Sequence, residues 1–191
     1  MIIIKSKREI EYLRKSNRIV AYVFDEIKKM VSPGITTKEL DQEAESLIRA
    51  RGGIPAFKGY KPMGYRSEFP ANMCISINEE VVHGIPGPRK LKEGDIVSLD
   101  VGVLLDGYYG DAAITLPVGN VSEEAQRLIE VTERALYVGI EKAKEGNRLS
   151  DISHAVQMFA EGYGFSVVRD FVGHGIGKSL HEDPQIPNFG P

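Results

Sequence analysis

The chain has 191 residues and one cysteine, Cys74. Without a second thiol there is no intramolecular disulfide framework, and such usage fits a reducing compartment. No apolar run approaches the roughly 20 residues that span a bilayer. The opening MIIIKSKREI meets charge directly after Ile4, which argues against a signal peptide. Neither sign of charge dominates: 24 Lys and Arg stand against 27 Asp and Glu, a net charge of −3. That balance gives no basis for a nucleic-acid surface or a polybasic membrane patch. Short catalytic signatures are missing too. There is no H-E-x-x-H or paired-cysteine zinc motif, no G-x-x-x-x-G-K-[ST] and no G-x-S-x-G elbow. The expectation is a soluble cytoplasmic protein with neither nucleic acid nor membrane as a direct partner.

What is present is ordinary globular composition, 42% hydrophobic and 27% charged, in a length suited to one domain. After a short opening strand, apolar residues at Ile10, Leu13, Ile19, Val20, Val23, Phe24 and Ile27 have helical spacing. This predicts a helix from Ser6 to about Val31, with Ser6 and Glu9 as a capping box. A second helix, capped by Thr36 or Thr37, carries Leu40, Ala44, Leu47 and Ile48. Residues 53–72 read as loop. Four strands are predicted after it: MCISI, EVVHGI, DIVSLDVGVLL and YYGDAAITLPV. The order then repeats, with a long helix over 121–146 capped by Ser122 and a shorter one capped by Ser150. A strand and glycine-rich turn follow in FSVVRDFVGHGIG, and then a Pro-rich loop, HEDPQIPNFGP. The letters HGI occur at 83–85 and again at 174–176. The reading is an α+β domain of two pseudo-repeated halves, about 1–118 and 119–191, with helices on one face of a mostly antiparallel sheet. The second half looks incomplete, as in a truncated product or a fragment.

The stretch SLDVGVLLDGYYGDAA, residues 98–113, poses a charge problem, because Asp100 and Asp111 sit inside its two apolar arms. If Asp106-Gly107 is a two-residue type I′ turn, Gly102 faces Asp111 and Asp100 faces Ala113. The carboxylates are then diagonal neighbours on one face, with backbones about 7–8 Å apart. Carboxylates so close repel unless one protonates or a cation lies between them. A divalent metal site answers the problem; a solvated pair of surface aspartates is the alternative.

Of four histidines, three lie beside glycine or proline turns: His83 in VVHGIP, His174 in VGHGIG and His181 in SLHEDP. An imidazole with two carboxylates makes a mixed N/O set, which suits Mn, Fe, Co or Zn better than Ca or Mg. His154 reads as a partly buried helix residue. Cys74, after PANM, reads as the wall of a strand or pocket.

Taken together, NEEVVHGIP, EGDIVSLDVG, YYGDAA, RDFVGHGIG and LHEDPQIP resemble the type I, bacterial form of methionine aminopeptidase over nearly the whole chain. The resemblance implies the pita-bread fold of two related αβ halves. It implies removal of the N-terminal methionine from nascent proteins and peptides by a metal-activated water, with two divalent metal ions (Co, Mn, Fe or Zn). By motif, Asp100, Asp111 and His174 are similar to metal ligands, with Asp111 bridging. His83 is similar to the histidine that contacts the scissile nitrogen, and His181 to the one that stabilises the carbonyl oxygen. Phe57, Tyr60 and Cys74 resemble the methionine pocket; Tyr65 is a further member, in a loop longer than the family pattern. Two glutamate ligands of the family have no counterpart before Pro191. The resemblance therefore also implies an alternative, a catalytically impaired or non-catalytic peptide-binding module. A monomer is expected, and contact with the ribosome is a family trait that no residue here signals.

Overall fold

The computed structural model describes residues 1–61 and 66–191. The chain divides into two compact units. The larger holds Ile4–Val121 and Ile176–Leu180; the smaller holds Ser122–Gly175 with Met1–Ile3 and His181–Pro191.

In the larger unit, α1 (Lys7–Ile27) and α2 (Thr37–Ala50) precede β1 (Ile54–Pro55), β2 (Met73–Ile77), β3 (Ile96–Leu105) and β4 (Tyr108–Pro117). Both helices begin in capping boxes. The Glu9 N–H bonds Ser6 Oγ while the Ser6 N–H bonds Glu9 Oε2, and Thr36 and Glu39 repeat the exchange. All strand pairs are antiparallel. β3 is the centre, with β1 and β2 following one another along one edge and β4 along the other.

Period-two alternation divides the faces of β3. Val97, Leu99, Val101 and Val103 point into the main core. There they meet Val20, Val23 and Ile27 of α1 and Leu40, Ala44 and Ile48 of α2, which recur at helical spacing. Ser98, Asp100 and Gly102 are left to the opposite face.

The smaller unit pairs α3 (Glu123–Lys142) with α4 (Leu149–Gly162) and adds a two-stranded sheet of β5 (Gly173–Gly175) and β6 (Glu182–Ile186). Small residues let the helices close up. A Cβ on Gly139 would lie 2.8 Å from Val156 Cγ2. Among the described residues, no helix is long and apolar enough to cross a membrane.

Several predicted elements differ. MIII is not a strand, and Ile2, Ile3 and Ile4 are exposed. EVVHGI is a turn and loop, because Asn78 and His83 take left-handed φ values of 56° and 61° that no strand accommodates. α1 stops at Ile27, where the bonds Lys29 N→Glu26 O and Met30 N→Ile27 O tighten the last turn. α4 starts earlier than a Ser150 cap implies. Asp151 reaches back to accept the Arg148 N–H at 2.7 Å, which places Ser150 inside the helix. The Pro-rich tail contains β6, paired with β5.

Candidate active site

The Asp106-Gly107 turn has φ values of 51° and 81°. Positive φ at both positions defines the tight primed turn, whose twist matches the flanking strands. The register follows: Leu105 opposite Tyr108, Gly102 opposite Asp111, Asp100 opposite Ala113. Asp100 and Asp111 are thus diagonal neighbours on the face of β3 and β4 away from the helical core, both half-buried. On the other edge of β3, Cys74 is the register partner of Asp100 and shares that face.

Beside the carboxylates lies a second apolar cluster of Phe57, Cys74 and Leu180, packed by Tyr60, Phe69, Tyr109 and Ile176. The chain leaving β1 seats it. The Ala56 N–H bonds the Gly102 carbonyl at 2.9 Å, and the Phe57 ring then lies directly over Gly102. A Cβ there would fall 2.4 Å from Phe57 Cε1, so only glycine fits. Phe69 meets Phe57 edge-on, with centroids 6.5 Å apart. Reciprocal backbone bonds, Gly59 N→Phe69 O and Phe69 N→Tyr60 O, hold Tyr60 and Phe69 together.

Burial raises the Cys74 thiol well above its usual range, and the negative charges of Asp100, Asp111 and Asp41 raise it further. The thiol is therefore neutral. Burial likewise raises the Tyr60 hydroxyl, with a smaller push from Tyr109. Tyr65 lies outside the described residues.

The two His-Gly pairs share a physical cause. A Cβ on Gly84 would sit 2.1 Å from the Ile75 carbonyl oxygen, and one on Gly175 would sit 2.4 Å from that of Asp183. In each unit the residue after the histidine presses against a neighbouring backbone, which excludes a side chain. His83 is exposed at the end of this contact, where Gly84 pairs with Ile75 and Ser76. In the smaller unit His174 is half-buried on β5 and its Nδ1 lies 2.9 Å from the Gly175 carbonyl. A carbonyl oxygen only accepts, so a proton on Nδ1 makes this contact a hydrogen bond. The rings of His174 and His181 lie 4.3 Å apart. His154 is exposed rather than partly buried and meets the Gly190 carbonyl, a packing role.

The structure thus brings Asp100, Asp111, Cys74, Phe57 and Tyr60 to one face of the larger unit, and His174 and His181 together in the smaller one. Among the described residues, no group of three or more His, Cys, Asp or Glu is arranged to hold a metal ion. Sequence reasoning missed Leu180, Phe69, Tyr109 and Ile176. Tyr109 was findable, since the hairpin register puts it two residues from Asp111 on the same face; the others carry no local signal.

The model of metallopeptidase family M24 matches residues 11–191. Over all 191 residues the chain is 56% identical to methionine aminopeptidase 1 of Bacillus subtilis, covering 75% of that protein. A solved methionine aminopeptidase from Thermotoga maritima superposes with a TM-score of 0.94 at 46% identity, covering the whole of this chain and 75% of that one. Prolidase from Pyrococcus furiosus shares the fold at 24% identity, with a TM-score of 0.81, over 98% of this chain and 53% of its own. The α+β architecture is the pita-bread fold, and the chain belongs to metallopeptidase family M24. Within that family its relatives at 53–56% identity are bacterial methionine aminopeptidases.

Proposed function

We propose that this chain removes methionine from the N-termini of peptides and nascent proteins, using divalent cations held by Asp100, Asp111 and His174. The observation that carries this reading is the pairing of Asp100 and Asp111 on one sheet face beside a small apolar cluster. The donor set fits a cation. Two half-buried carboxylates that are diagonal neighbours repel one another, and a cation relieves that repulsion. Asp100, Asp111 and His174 would hold the two ions, Asp111 contributing to both, and two carboxylates with an imidazole favour Mn, Fe, Co or Zn. Such cations polarise a peptide carbonyl and make water nucleophilic near neutral pH.

The chain's own side chains do the rest. Phe57, Tyr60 and Cys74 take the unbranched methionine side chain, for which a polarisable thiol and aromatic edges are good partners; Tyr65 is proposed as a further member. His181 donates to the carbonyl oxygen as negative charge develops there. His83 contacts the scissile nitrogen. We place this work in the cytoplasm, on nascent chains emerging from the ribosome, with the chain acting as a monomer.

The test is calorimetric titration of Mn²⁺ or Co²⁺ into the chain and into Asp111→Asn, Asp100→Asn and His174→Ala, with parallel assay of a Met-Ala-Ser tripeptide. Binding lost or weakened about 10-fold or more in each variant supports the assigned ligands. Binding unchanged by Asp111→Asn overturns them.

A further inference from the structure

Asp41, on α2, is a buried carboxylate that no part of the proposed chemistry uses. Its Oδ1 accepts the backbone N–H groups of Asn72 at 2.8 Å and Met73 at 3.0 Å, and its Oδ2 accepts Asn72 Nδ2 at 2.8 Å. Charge-assisted bonds of this kind are the stronger ones, and a buried carboxylate that loses them is costly. Asn72 is itself buried, and its Oδ1 has no hydrogen-bond partner among the described residues. Among the described residues, its side chain therefore bonds Asp41 alone.

The position of this latch matters. Asn72 and Met73 are where the chain enters β2, directly before Cys74. The loop leading there carries Phe57, Tyr60 and Phe69, the aromatic side of the apolar cluster around Cys74 that is read above as the methionine pocket. One end of that loop is fixed by β1 pairing with β3 and by the Ala56–Gly102 bond; Asp41 fixes the other. We propose that Asp41 is a positioning residue that holds the pocket wall closed on Cys74, and so sets how well the pocket grips a methionine side chain. This rests on reading the pocket as the methionine site, and Asp41 itself touches neither substrate nor metal.

The single thiol makes the test clean, because alkylation of the folded chain by iodoacetamide reads Cys74 alone. Asp41→Asn turns an acceptor into a donor facing N–H groups, and Asn72→Ala removes only the side-chain bond, keeping the test open if the first variant folds poorly. Each is expected to speed alkylation about 10- to 100-fold. The exchange Asp41→Asn with Asn72→Asp restores a donor opposite an acceptor and is expected to recover most of the protection. Val23→Ala, in the main core, is the control for general loosening. Alkylation sped equally by Val23→Ala at the same loss of Tm, or no recovery in the exchanged pair, overturns the inference. L-methionine is expected to slow alkylation of the parent chain and to slow it less in Asp41→Asn and Asn72→Ala. No slowing in the parent chain overturns the pocket reading. Slowing equal in parent and variants overturns the role of Asp41 alone.

Discussion

Gly102→Ala tests whether the carboxylates and the apolar pocket form one packed surface. Gly102 shares a sheet face with Asp100, lies under the Phe57 ring and has Asp111 opposite it. An added Cβ would lie 2.4 Å from Phe57 Cε1, 2.9 Å from Cδ1 and 3.0 Å from Ala56 Cβ. Carbon atoms settle near 3.5–4.0 Å, so the ring must retreat by about 1 Å. Its path is crowded, because Phe57 is buried against Cys74 and Leu180 and is braced edge-on by Phe69. Such overpacking costs about 1–3 kcal/mol. Replacing a strand glycine returns about 0.5–1 kcal/mol through backbone entropy. The net loss is about 0.5–2 kcal/mol, which lowers a urea midpoint by roughly 0.3–1 M at the usual slope. Urea unfolding followed by circular dichroism measures it, with an unchanged slope showing that stability and not compactness changed. A midpoint equal to or above that of the parent chain would show that Phe57 yields freely, and the idea of a tightly seated pocket wall fails.

Further expectations follow from the same contacts. Gly84→Ala places a Cβ 2.1 Å from the Ile75 carbonyl oxygen, a backbone atom that cannot swing aside, and threatens the Ile75–Gly84 bond. It should cost about 3 kcal/mol or more in the same urea assay, and a loss under 1 kcal/mol would mean that the His83 turn is loosely held. Glu9 is held down to about 2, first by the Ser6 backbone N–H and then by the Ser6 hydroxyl. Because its folded value lies below its ordinary 4.5, its contribution is complete above that pH and disappears as pH falls toward 2. Thermal melts from pH 5 to 2 should therefore fall less steeply for Glu9→Gln than for the parent chain, and parallel curves would contradict the capping-box account. The Cys74 thiol has the opposite sign. The folded chain keeps it neutral while the unfolded chain ionises it above about pH 8.5, so stability should drop with alkalinity and Cys74→Ala should flatten that drop. A parent chain insensitive to pH 8–10 by the same melts would argue against a buried, negatively surrounded thiol.

What the sequence made legible, and what it hid, follows the range of the interactions involved. The Asp-Gly turn dictates its own backbone, and a turn of fixed type sets every partner in the two arms. Asp100 and Asp111 could therefore be placed on one face from sixteen letters. Capping at Ser6, Thr36 and Ser122 was equally local. The misread strands were those that local pattern cannot decide. MIII and EVVHGI are rich in β-branched residues, yet Val81, Val82 and Ile85 are exposed. β-propensity becomes structure only where a partner edge exists, and in the HGI loop the left-handed φ of His83 removes it. β6 fails the other way, since its pairing with β5 joins Ile186 to Gly173 across a turn with no two-residue signature.

Leu180 marks the limit most sharply. It is 2% exposed and completes the Phe57–Cys74 cluster, but it stands in a five-residue segment, Ile176–Leu180, that packs with the larger unit while its neighbours on both sides belong to the smaller one. The Tyr109 N–H bonding the Gly177 carbonyl at 2.9 Å ties that segment to β4, two residues from Asp111. Gly177 and Leu180 lie within that segment, so β4 and the Phe57–Cys74 cluster are held by the same five residues. A Leu180→Ala variant should thus act twice. It should open a cavity costing about 2–5 kcal/mol in the larger unit, and it should speed alkylation of Cys74, which Leu180 joins in the cluster. If urea unfolding shows the lost stability while iodoacetamide reaches Cys74 no faster, Leu180 does not cover the thiol. The reading of one packed cluster closed by that segment would then have to be given up.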